Sequence, residues 1–125
     1  MWTYHYETVD NGYQPQYSIC GEVILYSNFE YELSANGLKE LHRLAQQDCL
    51  LLNRLGMGWY PVFQIFRIPE SLEFRWGLSI YSGQLSIFVS KTFASQEAAA
   101  QDSQDFASAF GLHLNPWDKV ESNIA

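Results

Sequence analysis

The sequence predicts an α+β fold: a mainly antiparallel five-stranded sheet with two helices on one face, in the order ββαβββα. Three observations lead there. Stretches of period-two alternation, rich in aromatic and β-branched residues, recur on both sides of residue 56. Two other stretches, within residues 33–56 and 96–110, have helical spacing, each headed by a serine and closed by a glycine. No interdomain linker, internal repeat or low-complexity tract interrupts the 125 residues, so one compact domain over residues 1–125 is expected.

Taken in order, Trp2, Tyr4 and Tyr6 alternate with Thr3, His5 and Glu7, the pattern of a half-buried strand. Asn11-Gly12 and Pro15 mark the following residues as a loop. A second strand is expected over 17–26, with Tyr17, Ile19, Val23 and Leu25 on one face, pairing with the first as a hairpin. Ser34 or Asn36 can cap the long helix, in which Leu38, Leu41, Ala45, Cys49 and Leu52 form the apolar stripe. Gly56 stands where a left-handed residue would end it. Residues 59–68 are apolar on both faces, as in a strand covered on both sides, and Pro61 belongs at its first residues. Residues 72–81 alternate clearly; Ser82-Gly83 closes a tight hairpin, and 84–90 return as the fifth strand. Ser95 caps the second helix, whose apolar face carries Ala98, Ala99, Phe106, Ala109 and Phe110 up to Gly111. Trp117 in the tail is expected to dock.

Composition narrows the trades open to this chain. Apolar residues make up 47% and aromatics 16%, enough for a core without staples. Fourteen acidic residues face seven Lys and Arg, a formal charge of -7, which repels phosphate backbones and anionic membranes. Nothing in the first residues has the basic start and apolar stretch of a signal peptide, and no apolar run reaches membrane-spanning length. Cys20 and Cys49 lack CxxC spacing and read as reduced thiols of a cytoplasmic protein.

The stretch "GMGWYP", Gly56 to Pro61, is the nearest thing to a motif. A phosphate-cradling glycine loop must follow a strand and open a helix; here the helix comes first, and a third glycine is missing. It reads as the stop of a helix and the start of a strand. Adjacent strand residues face opposite ways, so one of Trp59 and Tyr60 belongs to the core and the other to the surface. His5, His42 and His113 have no metal spacing, although His5 and Glu7 share a strand face; no metal or cofactor is expected. Asp48 falls near the middle of the long helix's apolar stripe and is the candidate buried acid; Asp102 lies near the apolar side of the second helix. Buried together, the two carboxyls would suit acid/base work; a paired or rim position is the structural reading.

The reading that follows is a non-catalytic protein-binding module, a regulator, inhibitor or accessory subunit acting through an aromatic-rich sheet surface. Eight Tyr, eight Phe and four Trp supply the rings that interfaces favour, with Trp59 or Tyr60 together with Tyr4 or Tyr81 as anchors. A protein partner is expected, or a symmetric dimer if the doubly apolar strand over 59–68 leaves one face open. The alternatives are a small-ligand binder or enzyme with a pocket between sheet and helices, using Asp48, His5 and Glu7, and an acidic nucleic-acid mimic.

Overall fold

The structure, a computed structural model, describes residues 1–113; the tail expectation for Trp117 lies outside the described residues. These residues form two compact units, Met1–Arg54 and a second beginning at Leu55. The class is α+β; among the described residues there are two helices and antiparallel strand pairs, but the strands number six, and the order is βββαβββα.

In the first unit, β1 (Thr3–Val9), β2 (Gly12–Ile19) and β3 (Glu22–Ser27) form an antiparallel meander, and α1 (Ala35–Leu52) packs on β1 and β2. The stretch expected to be one strand over 17–26 is two strands joined at Cys20–Gly21. Both turn residues have positive φ, +54° and +80°. Such a turn ordinarily announces itself with Asn or Gly at its first position, and a cysteine there carries no such signal. Pro15, expected in a loop, lies inside β2 opposite Tyr6. It is tolerated because the β2–β3 ladder stops at Gln16↔Tyr26 and resumes only as the Tyr13↔Tyr31 bridge. Tyr13 N–H points toward Tyr31, and two residues on, the missing N–H of Pro15 faces the gap in that ladder.

α1 begins as expected. The Ser34 hydroxyl accepts from Gly37 N–H at 2.9 Å, and Leu41, Ala45, Cys49 and Leu52 are buried. It ends earlier than expected, at Leu52 with Asn53 as cap, so Gly56 is not its terminating residue. Trp2, Tyr17 and Leu25 complete the buried core of this unit.

The second unit repeats the pattern. β4 (Val62–Arg67), β5 (Phe74–Ser79) and the two-residue β6 (Phe88–Val89) again form an antiparallel meander, and α2 (Gln96–Ala109) packs on β4 and β5. Phe106 meets Trp76 at 4.9 Å and Phe63 at 6.3 Å between ring centroids. The buried face of α2 is Ala99, Ser103, Phe106 and Ala107, whereas Ala98 and Ala109 are exposed. A serine can occupy that face because its hydroxyl donates to Ala100 O at 2.7 Å, satisfying itself within the helix. The hairpin between β5 and β6 is wider than a tight turn: the chain leaves the sheet at Ile80, turns at Gly83, and brings Ser86 back onto Gly77.

No repeat is visible in the residues, yet the two units share more than their order. In each, a bridge (Tyr13↔Tyr31, Phe74↔Phe93) ties the middle strand to the segment leading into the helix. A serine then caps the helix. In each, too, a buried ring on the middle strand donates to a helix aspartate: Tyr17 Oη to Asp48 at 2.7 Å, and Trp76 Nε1 to Asp102 at 2.9 Å.

Candidate functional site

"GMGWYP" resolves into a tight backbone loop. Gly56 and Gly58 both have positive φ, and Gly56 N–H donates to Trp59 O at 3.1 Å. The loop turns Trp59 inward, 8% exposed and against Phe88 at 6.0 Å, and Tyr60 outward, 65% exposed. Tyr60 Oη donates back to Gly56 O at 3.0 Å. Tyr81, 67% exposed, stands two residues past Ser79, the partner of Val62 in the β4–β5 ladder. Ser79 Oγ, itself buried, donates to Tyr81 O at 3.0 Å and so fixes the backbone from which that ring projects. Ile80 and Leu85 are exposed in the same excursion.

Tyr4 belongs to a different aromatic group, in the first unit. Its Oη lies 2.7 Å from His42 Nδ1 on α1, and Tyr6 packs edge-on against both His42 and Tyr13. On the other face of β1, His5 Nε2 lies 2.8 Å from Gln16 Oε1. Among the described residues, no three His, Cys, Asp or Glu side chains gather as metal ligands.

Asp48 is half-buried, and burial raises its pKa above the usual carboxylate range; the Tyr17 hydrogen bond partly opposes that shift. Burial, the Asp48 charge and the same hydrogen bond drive the Tyr17 phenol far upward. Asp102 has its own donor in Trp76. The neighbouring Cys49 thiol is pushed up to about 11 by burial and by the Asp48 charge, so it stays protonated at neutral pH. Both cysteines are free, Cys20 exposed and Cys49 buried.

One feature of the first unit has no counterpart among the sites singled out above. A cavity of about 480 Å³ opens in the first unit, between Met1, Trp2 and the start of β1 (Thr3, Tyr4) on one side and the end of α1 with its cap (Gln46, Leu50, Asn53) on the other. Its lining is predominantly apolar, and Cys49 forms part of the wall. Gln46, Cys49, Leu50 and Asn53 are spaced i, i+3, i+4, i+7, one stripe of the helix. Leu50, 67% accessible, is the exposed apolar member of that stripe. Asp48, His5 and Glu7 do not line it.

Two βββα units with aromatic surfaces and a strand–helix cavity define the class as far as geometry does. Comparison with protein-family models, curated proteins and solved structures returned no match.

Proposed function

We propose that this chain is a non-catalytic protein-binding module working in the cytoplasm, a regulator, inhibitor or accessory subunit that docks a partner through aromatic side chains of its sheets. The observation that carries the reading is the pair of tyrosines Tyr60 and Tyr81, each about two-thirds exposed at the same end of the β4–β5 ladder. The Tyr60 ring is tethered through its own hydroxyl and the Tyr81 backbone through Ser79, so little entropy remains to be lost on docking. Tyrosine offers a large rigid area with a polar tip, the combination found at interface anchors. Trp59 supports the loop from inside.

A heterologous partner suits this surface better than the symmetric dimer. The dimer requires an open apolar face on β4, but Phe63, Gln64, Ile65 and Phe66 are all buried within the single chain. Ser86 Oγ donates to Gln64 Oε1 at 2.9 Å, satisfying the polar member of that set. No helix among the described residues is long and apolar enough to cross a membrane.

The test places the photo-crosslinking residue benzoylphenylalanine at position 60, at position 81, or at the exposed control position 39, in the native cell. One and the same protein should be captured from 60 and 81 and not from 39. Tyr60→Ser combined with Tyr81→Ser should cut its co-purification at least about tenfold. Equal capture from all three positions, or none, refutes the reading.

A further inference from the structure

We infer that the first unit binds an extended basic–apolar peptide, added antiparallel to the free edge of β1, with an apolar side chain seated in the strand–helix cavity. The inference extends the protein-binding reading to a second surface, and it can stand or fall separately from Tyr60 and Tyr81.

Three features of the fold converge on β1. It pairs with β2 on one side and, among the described residues, with no strand on the other, so every second residue turns its N–H and C=O away from β2. Beside that edge lies the 480 Å³ cavity, which is touched by Met1 and Trp2, just before the strand, and by its first two residues, Thr3 and Tyr4. Consecutive strand side chains point to opposite faces, so a cavity that meets both Thr3 and Tyr4 runs along the backbone edge, not beneath one face. The opposite wall is the helical stripe of Gln46, Cys49, Leu50 and Asn53. A groove between an edge strand and a helix is the geometry in which an extended peptide adds a strand, with main-chain bonds giving affinity and the pocket giving specificity.

The charges select the peptide. No side chain lining the cavity carries a formal charge, and the lining is predominantly apolar, so the side chain that enters it is apolar. Glu7, exposed on β1, lies three residues beyond Tyr4 and therefore on the opposite face. The chain as a whole carries -7. A cross-strand neighbour of Glu7 is favoured if cationic. Both ladders of this unit are antiparallel, and an antiparallel addition makes the slightly stronger pairing. With the apolar anchor opposite Tyr4, the residue opposite Glu7 is then three positions N-terminal to it. The recognised pattern is a Lys or Arg followed, three residues later, by a Leu-like side chain.

The probe is a fluorescein-labelled nonapeptide of serine and threonine carrying one lysine and, three residues later, one leucine. Anisotropy should show saturable binding that weakens about tenfold when leucine becomes serine. It should weaken similarly when edge-facing peptide nitrogens are methylated. Leu50 is exposed, so Leu50→Glu leaves the fold intact and should reduce affinity at least about tenfold. Glu7→Lys should reverse the preference, favouring a peptide with glutamate in place of lysine. Amide shifts on binding should fall on residues 3–9 and the end of α1. Tyr60→Ser with Tyr81→Ser should leave peptide affinity unchanged, which separates this site from the other surface. No binding at millimolar peptide, indifference to N-methylation or to Leu50→Glu, or amide shifts elsewhere would overturn the inference. So would sedimentation showing the edge already occupied by a second copy, or a small apolar molecule binding the cavity with the peptide excluded.

Discussion

Two buried indoles in the second unit differ by one bond. Trp76 Nε1 donates to Asp102, whereas Trp59 Nε1 is buried and has no hydrogen-bond partner among the described residues. Trp→Phe removes similar volume at either site, but at 76 it also deprives a carboxylate of its donor. A bond to a charged group contributes about 1.5–3 kcal/mol, and an unmet buried N–H costs about 1–3 kcal/mol. Trp76→Phe should therefore destabilise by at least about 2 kcal/mol more than Trp59→Phe, as urea titration of both variants will show. Asp48 supplies a pH dependence of known sign. Its folded-state pKa is raised, so the native state holds that proton more tightly than the unfolded chain. The resulting stabilisation is complete below the unfolded value near 3.8 and is lost as pH rises through the folded pKa. Asp48→Asn, which keeps an acceptor for Tyr17, should match the native protein at pH 3.5. At pH 7 it should melt about 2 °C higher, and a lower melting temperature there would contradict this account. The carboxylate's awkward place was legible from its helical phase alone. Its donor was not, because Tyr17 and Asp48 are neighbours only once β2 and α1 pack.

At the scale of elements, α1 shows how tertiary contact overrides propensity. Gly37 sits in its first turn, where alanine would ordinarily improve a helix by about 1 kcal/mol. Here an added Cβ would fall 2.7 Å from the Glu32 carbonyl carbon, a backbone atom that cannot step aside. Gly37→Ala should thus lower stability, by about 1–3 kcal/mol, and a denaturation midpoint above that of the native protein would disprove the clash. Both helices were readable in advance, since Ser34 and Ser95 cap them by side-chain acceptance from the residue three ahead. The strands were harder, for two local reasons. Cys20 adopts a left-handed turn that its residue type does not advertise, and Pro15 occupies a strand interior because the adjoining ladder has a gap there. Each reason hid the same object, the third strand of the first unit. The cavity was hidden for another reason: it belongs to the space between two elements, and neither β1 nor α1 carries a pattern that describes it.

For the whole molecule, charge sets the behaviour in solution. With seven more acidic than basic side chains and an isoelectric point near 4.7, solubility should pass through a minimum close to that pH and recover on either side. Turbidity across pH 3–8 measures this directly, and a minimum near neutrality would mean that surface association, not net charge, governs solubility. The doubling of βββα brings a practical benefit unrelated to binding. Trp2 is buried in the first unit, while Trp59 and Trp76 are buried in the second. Each unit thus contains its own fluorophore, shielded from water only while that unit is folded. With the remaining tryptophans replaced by phenylalanine, the emission colour of Trp2 follows the melting of Met1–Arg54, and that of Trp76 follows the residues from Leu55 onward. The protein carries, in its own sequence, a separate optical thermometer for each half.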